Sequence, residues 1–470
     1  MNPLEISSEQ FHRLAVHVTR LAATYLESLD TRAIQPNANG QEIEALFRAA
    51  LPEKGLGENA LGGLTDIIRN SRAQNGRFFG YVLGSGEPVG ATADLLASVL
   101  NQNVTAWRSG PAAVAVEKTV VGWLAEAIGC EQFTGSLTGG GSSANLMGLA
   151  MAREAKTPAN ESGVGPGMVL YASQEIHMSI PKSVALLGIG RENLRPVSTD
   201  ESFQMIPEEL DQAMKRDKHA GKVPIAVVAT AGTVNTGAID PLSEIAEIAH
   251  RHNAWLHIDG AYGALAAMAA REKFKGLELA DSLSLDPHKW LYQPLDAGCL
   301  LYRDAGAAHS AFAHTGEYAR ALTADPVEGF AFFEESLELS RRFRALKLWL
   351  SLRYHGFSAF RNAIQRDLAH AKRLATQIAA HPELELMAPV ELSAVCFRYR
   401  GTRTVSEGEL NRVNPMILKR VVERGRVYLS NASLRNRFCL RACVVNHRTT
   451  DADIDSVITE VLAAAKEVTA

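Results

Sequence analysis

Apolar residues recur at three- and four-residue steps at the start of the chain: Phe11, Leu14, Ala15, Val18, Leu21, Ala22, Tyr25, Leu26 and Leu29. That spacing gathers them on one face of a helix over residues 8–30. Ser7 or Ser8 can cap it, and Pro36-Asn37-Ala38-Asn39-Gly40 ends the element. Shorter helices are predicted over Gln41–Ala50 and Asn59–Ala73. This segment carries an apolar stripe and too few residues to bury it alone. It must pack on something else, either a second subunit or the large domain of its own chain.

From about Gly90 the pattern changes to helices alternating with short apolar runs. Helices are predicted over Ala91–Asn101 and Pro111–Ile128, the second opening on proline. Then come strand Val169–Tyr171, helix Ile180–Leu187, strand Leu194–Val197, helix Pro207–His219, strand Ile225–Thr230, helix Leu242–His252 and strand Ala254–Asp259. Such alternation predicts a mostly parallel sheet with helices on both faces. Beyond Gly356 the predicted order is helix Phe360–Ala380, strands Leu384–Leu386 and Ala394–Tyr399, helix Glu409–Arg424, strand Phe438–Val445 and a helix from Asp451. Antiparallel strands with helices make a small α+β domain. The expected division is therefore 1–89 helical, 90–355 α/β and 356–470 α+β.

Composition narrows the function classes. The chain has 470 residues, 46% hydrophobic and 21% charged, ample for a large core. Net charge is −4, and no basic cluster interleaves with aromatics, so nucleic acid is not an expected partner. Cys130, Cys299, Cys396, Cys439 and Cys443 are scattered through apolar patterns and read as buried thiols in a reducing compartment. No Cys/His set has zinc spacing, so no metal is expected. The first residues are polar, with no signal peptide, and no apolar run is long enough to span a membrane. The expected location is cytoplasmic.

The chemistry gathers around residues 281–293. A short apolar strand holding Leu283 and Leu285 runs into Asp286-Pro287-His288-Lys289-Trp290, and a second apolar run, Gly298–Tyr302, follows. A lone lysine at a strand end ordinarily snorkels to the surface. A lysine that forms a Schiff base with an aldehyde would instead sit between buried strands without an unpaired charge. Upstream, Trp255-Leu256-His257-Ile258-Asp259 reads as a buried strand ending in a carboxylate, where open α/β sheets place ligands; alone, Asp259 is as readily a helix cap. Thr138-Gly139-Gly140-Gly141-Ser142-Ser143 opens a helix, an arrangement suited to an anion. It lacks the ending of a nucleotide P-loop and the spacing of a dinucleotide fingerprint. His177 follows the strand ending at Tyr171, and Thr230 ends another. Gly84-Ser85-Gly86, by contrast, reads as a plain loop.

Taken in order, the stretches Gly139-Gly-Gly-Ser-Ser-Ala-Asn145, the His177 segment, Asp259-Gly-Ala-Tyr262, Asp286-Pro-His-Lys-Trp290 and Ser340-Arg-Arg-Phe-Arg-Ala-Leu-Lys-Leu-Trp349 resemble the pyridoxal-phosphate-dependent group II amino-acid decarboxylases. That family includes the aromatic-L-amino-acid and glutamate decarboxylases. The resemblance implies fold type I of the pyridoxal-phosphate enzymes, with a seven-stranded, mostly parallel sheet, and it implies a homodimer. It implies Lys289 as the Schiff-base lysine, Asp259 as partner of the pyridine nitrogen and His177 as the ring-stacking residue. Ser142, the Gly141 backbone and His288 would hold the phosphate. Thr230, Ala261 and Asp286 complete the expected cofactor site.

The expected activity is decarboxylation of an L-amino acid to an amine. An aminotransferase of the same fold is the runner-up, with Arg441 as its carboxylate clamp; a catalytically dead dimeric binding module is the alternative outside enzymes. For the substrate, the stretch Asn101–Pro111 is informative. Asn103 and Thr105 are more polar than an aromatic ring favours, and Arg108 suits an acidic side chain. Trp290 and the Arg341-Arg-Phe-Arg344 stretch look closer to the aromatic branch, which is the reading adopted. In this family a loop tyrosine before the Arg-Arg-Phe-Arg segment returns a proton to the substrate carbon. Tyr318 is the only tyrosine available there, while counting back from Arg341 puts Phe332 in that slot. Phenylalanine cannot donate, and the resemblance then implies a decarboxylation-dependent aldehyde synthase as a further alternative.

Overall fold

The structure is a computed structural model, and it describes residues 2, 4–314, 323–403 and 405–469. Seven strands form the larger sheet: β1 (Thr134–Thr138), β2 (Met168–Ser173), β3 (Leu194–Val197), β4 (Val223–Thr230), β5 (Trp255–Asp259), β6 (Ser282–Leu285) and β7 (Gly298–Tyr302). Their order across the sheet is β1-β7-β6-β5-β4-β2-β3. β7 runs antiparallel to both its neighbours, and every other pairing is parallel. The apolar runs are continuous because both faces are covered. Along β2, Val169 and Tyr171 pack into one core cluster while Met168, Leu170 and Ala172 pack into the opposite one. β4 divides in the same way.

β1 is absent from the pattern read above because Thr-Gly-Ser-Leu-Thr has little apolar signal. Its place is set by close packing: a Cβ on Gly135 would lie 2.1 Å from the Leu300 carbonyl oxygen on β7. A second sheet holds β8 (Leu384–Leu386), β9 (Ala394–Tyr399), β10 (Ser430–Leu434) and β11 (Arg437–Cys443), all antiparallel in the order β10-β11-β9-β8. Helices Phe357–Ala380 and Asp451–Thr469 cover it. The helix Ala345–His355, also unread from the sequence, meets the first of these at Gly356, whose φ of +76° favours glycine.

The first helix spans Ser8–Ser28, opened by a capping box between Ser7 and Gln10. None of its residues is buried. Phe11, Val18 and Leu26 face outward, so its own large sheet does not cover the stripe. Residues just after it do dock: Ile34 packs with Phe78 and Tyr428. The predicted helix Asn59–Ala73 is instead a 3-10 segment, Gly57–Gly63, followed by helix Leu64–Asn70. No helix is long and apolar enough to cross a membrane among the described residues. All five cysteines are free and buried.

Candidate active site

The C-terminal ends of the parallel strands open onto a cavity of about 530 Å³, a size suited to a cofactor and a small substrate. Thr230 ends β4, Asp259 ends β5, and β6 runs directly into the short helix Pro287–Trp290 that carries His288 and Lys289. His177 follows β2, and β1 leads through Gly139 and Gly140 to the helix Gly141–Lys156. These residues, with Gly141, Ser142, Ala261 and Asp286, line the one cavity. Arg441, from β11 of the small sheet, reaches it too.

The glycine turn is shaped for close approach. Gly140 has φ +141°, and a Cβ on Gly141 would fall 2.6 Å from the Ala261 Cβ and 3.0 Å from Asp286 Oδ2. The first amides of the helix that begins there have no intrahelical partner and present partial positive charge. Lys289 Nζ lies 2.9 Å from Asp286 Oδ2. His288 Nε2 is 3.6 Å from the same oxygen, and the other ring nitrogen of His288 meets the Ala297 carbonyl at 2.7 Å. Burial lowers the basicity of both His288 and His177. Two buried oxygens lining the cavity have no hydrogen-bond partner, Asp286 Oδ1 and Thr230 Oγ1.

Asp259 is held by donors on both oxygens. Oδ2 accepts from Asn145 Nδ2 at 2.9 Å, and Oδ1 accepts from the Ser284 hydroxyl at 3.1 Å and the Ala261 amide at 3.2 Å. The Asn145 amide also donates to Ser179 Oγ at 2.9 Å, and Ser179 Oγ lies 2.9 Å from His177 Nδ1. Asn145 Oδ1 faces His257 Nε2 at 2.9 Å, while His257 Nδ1 meets Ser282 Oγ at 2.8 Å. Trp255 Nε1 donates to that same serine at 2.8 Å. The serine proton therefore goes to His257 Nδ1, and His257 carries its own proton on Nε2. Burial pushes His257 down to about 4. Asn145, Ser179, His257 and Ser284 were not singled out from the sequence. A histidine inside the buried run Trp255–Ile258 was the visible signal.

Gly84-Ser85-Gly86 is more than a plain loop. The Gly84 amide donates to the His288 carbonyl at 3.0 Å, and a Cβ there would lie 2.5 Å from the carbonyl oxygens of both His288 and Lys289. The segment is a backbone brace under the lysine turn.

Other residues singled out lie elsewhere. Tyr318 is outside the described residues. Phe332 is buried in the core with the Arg341 guanidinium over its ring at 4.3 Å and does not line the cavity. The Asn103 side chain accepts the Arg341 amide at 2.8 Å, and Thr105 accepts the Phe333 amide through its carbonyl. Arg108 lines a separate cleft with Phe330 and Phe333. Trp290 is fully buried and stacked on Tyr262 at 6.0 Å. Arg341 forms a buried ion pair with Glu117 and donates to the Leu137 carbonyl at 2.8 Å, behind the glycine turn.

Comparison with known proteins agrees with this geometry. Residues 43–400 match the pyridoxal-dependent decarboxylase conserved domain. An aromatic-L-amino-acid decarboxylase of Bacillus atrophaeus is 32% identical, over 99% of this chain and 97% of that one. A phenylacetaldehyde synthase of Petunia hybrida is 30% identical, over 94% of this chain and 88% of its own length. Among solved structures, Oryza sativa TDC with PLP and tryptamine superposes with a TM-score of 0.92 at 26% identity, covering 99% of both chains.

Proposed function

Because the chain belongs to the family of pyridoxal-dependent decarboxylases, we propose that it removes the α-carboxylate of an aromatic L-amino acid, with Lys289 as covalent anchor of the cofactor. The observation that carries this reading is the convergence of Lys289, Asp259 and the Gly141 helix start on one cavity. The residues present fit pyridoxal 5′-phosphate. Gly141 leaves a cradle that a Cβ would fill, and Asp286 Oδ1 and Thr230 Oγ1 are buried polar atoms without partners. Bound there, the cofactor supplies an electron-accepting ring for the electrons of the bond to the departing carboxylate.

The chain's own groups divide the remaining work. Asp259, kept a hydrogen-bond acceptor on both oxygens, holds a proton on the pyridine nitrogen and so keeps the ring positive. His177, fixed through Ser179, would lie against the ring. The Gly141 and Ser142 backbone at the helix start takes the phosphate with His288, while Thr230, Ala261 and Asp286 close the site around the cofactor. Lys289, held beside Asp286, anchors the cofactor and is placed to give a proton to the substrate carbon once the carboxylate has left. Tyr318 is the other group we assign to that proton return.

Tyr81, Val82, Met178, Tyr262 and Leu295 give the cavity the apolar walls an aromatic side chain needs. Arg441 favours a second reading, an acidic amino acid, since it brings a guanidinium into the same cavity. A screen of the proteinogenic amino acids for carbon dioxide release separates the two. Turnover confined to glutamate, aspartate or their analogues overturns the aromatic reading. The same reactions run in an oxygen electrode distinguish amine release from aldehyde formation, because only the latter consumes dioxygen.

Besides the outward stripe of helix Ser8–Ser28, Leu95, Leu96, Val99 and Leu100 on helix Pro88–Leu100 are exposed. Patches of this kind on a folded chain are commonly covered by a partner. We assign residues 1–89 to association with a second copy, 90–355 to the cofactor and 356–470 to closing the cavity. Sedimentation equilibrium of the holoprotein tests the homodimer. The buried free thiols favour the cytoplasm.

A further inference from the structure

The turn that carries Lys289 is pinned from behind by groups outside the cavity. Three residues on, Tyr292 sits at φ +53°, a conformation bulky residues rarely adopt, with its ring buried. Its hydroxyl donates to Asp367 Oδ2 at 2.9 Å. The same oxygen accepts the Asn446 amide at 3.0 Å, and the Asn446 side chain donates to the Asn75 carbonyl at 2.7 Å. On the near side, the Glu87 amide meets the Tyr292 carbonyl at 2.6 Å, beside the Gly84 contact described above. One carboxylate therefore ties the lysine turn to helix Phe357–Ala380, to the chain after β11 and to the residues leading up to Gly84.

We propose that Asp367 is a positioning residue for Lys289, acting through the Tyr292 hydroxyl. It fixes the far end of the turn, so that the amine meets the cofactor in register with Asp259. The proposal rests on the reading of Lys289 as cofactor anchor. Geometry requires such a tie. A left-handed tyrosine is strained, and strain of this kind persists only where surrounding contacts over-determine it. The Tyr292 ring has His447 edge-on at 5.3 Å, and His447 Nδ1 in turn meets Ser85 Oγ at 2.7 Å.

The carboxylate's surroundings add a pH dependence. The Tyr292 hydroxyl and the Asn446 amide donate to it, Arg366 is next to it on the same helix, and Cys443 faces it from β11. Burial outweighs the donors and Arg366, and pushes Asp367 up from 3.8 to about 8. The folded chain thus keeps a proton that the unfolded chain gives up near 3.8. The stabilising contribution of Asp367 falls as pH rises from about 4 and is lost above about 8.

Three variants test the assignment: Tyr292→Phe, Asp367→Asn and Lys289→Ala. Tyr292→Phe removes the hydroxyl and keeps the packing. Its affinity for pyridoxal phosphate by equilibrium dialysis should weaken roughly three- to tenfold, with kcat lowered, KM little changed and far-UV dichroism intact. Asp367→Asn retains an acceptor and should bind nearly as wild type at neutral pH. A purely structural role would lower the melting temperature of Tyr292→Phe and leave its cofactor affinity unchanged, which overturns the proposal. Cofactor affinity in Asp367→Asn reduced as far as in Tyr292→Phe overturns it as well, because the acceptor is still present. Lys289→Ala separates the two levels. If it still gives borohydride-stable cofactor attachment, the anchor reading fails and this one with it. If it loses attachment while Tyr292→Phe matches wild type, only the present proposal falls.

Discussion

Replacing Asp259 with asparagine changes one atom, and the structure says why the site does not tolerate it. Both carboxylate oxygens face donors: Asn145 Nδ2 at Oδ2, and the Ser284 hydroxyl with the Ala261 amide at Oδ1. An asparagine NH2 must point at one of these sets. Toward Oδ1 it meets the Ala261 N–H, which cannot rotate away. Toward Oδ2 it meets the Asn145 NH2 unless Asn145 flips, and that flip turns its NH2 toward the proton on His257 Nε2. Relief then requires His257 to move its proton to Nδ1, and Ser179 to turn its own proton away from His177 Nδ1. Every orientation strands a buried donor or forces His257 to change tautomer and the Ser179 hydroxyl to leave His177. A stranded buried donor costs about 1–3 kcal/mol. The cofactor-free variant should therefore melt below wild type, even though no ligand is involved. Turnover should fall roughly 10²–10³-fold, as on deleting one preorganised electrostatic group. Thermal unfolding of the apo form and single-substrate kinetics are the assays. Unchanged apo stability together with turnover within about threefold of wild type would refute both the hydrogen-bond argument and the pyridine partnership.

Two further outcomes follow from other contacts. Gly84→Ala places a Cβ about 2.5 Å from the carbonyl oxygens of His288 and Lys289, so pyridoxal phosphate binding should weaken sharply while a neutral loop change such as Gly86→Ala at φ +70° costs stability only; dialysis and melting curves separate them. His257 stays neutral in the fold down to about 4 while the unfolded residue takes a proton near 6.5, so folding stability should be lost as pH falls through that window; a His257→Gln variant should show a shallower loss in pH-dependent denaturation.

Much of the fold was legible because burial on both faces writes itself as apolar runs. Residues 169–171, 225–230 and 254–259 needed no context to read as strands. The site was legible for a related reason: Asp259, Lys289, Thr230 and His177 each follow such a run, and parallel strands deliver their ends to one edge. What stayed hidden depends on partners far along the chain. Asn145 and His257 are 112 residues apart, and neither has meaning until the other is beside it. β1 is a strand because β7 lies against it, not through its own composition. Gly84 looked like punctuation because a glycine's close approach cannot be seen until the approaching backbone is known. Asn103 looked like a pocket residue because its polarity was visible, whereas its partner, the Arg341 amide, was not.

The brace beneath the lysine turn also sets a timetable. The Gly84 segment leaves the ribosome long before His288, the carbonyl it supports, and the Asn446–Asn75 bond joins residues 371 apart. Arg441 of the cavity wall is made later than every other residue named there. The nascent chain therefore carries an unfinished lysine seat through most of synthesis, since contacts this distant cannot close early. Cofactor capture waits for the small sheet, and supplying pyridoxal phosphate during translation should speed nothing before β11 has emerged.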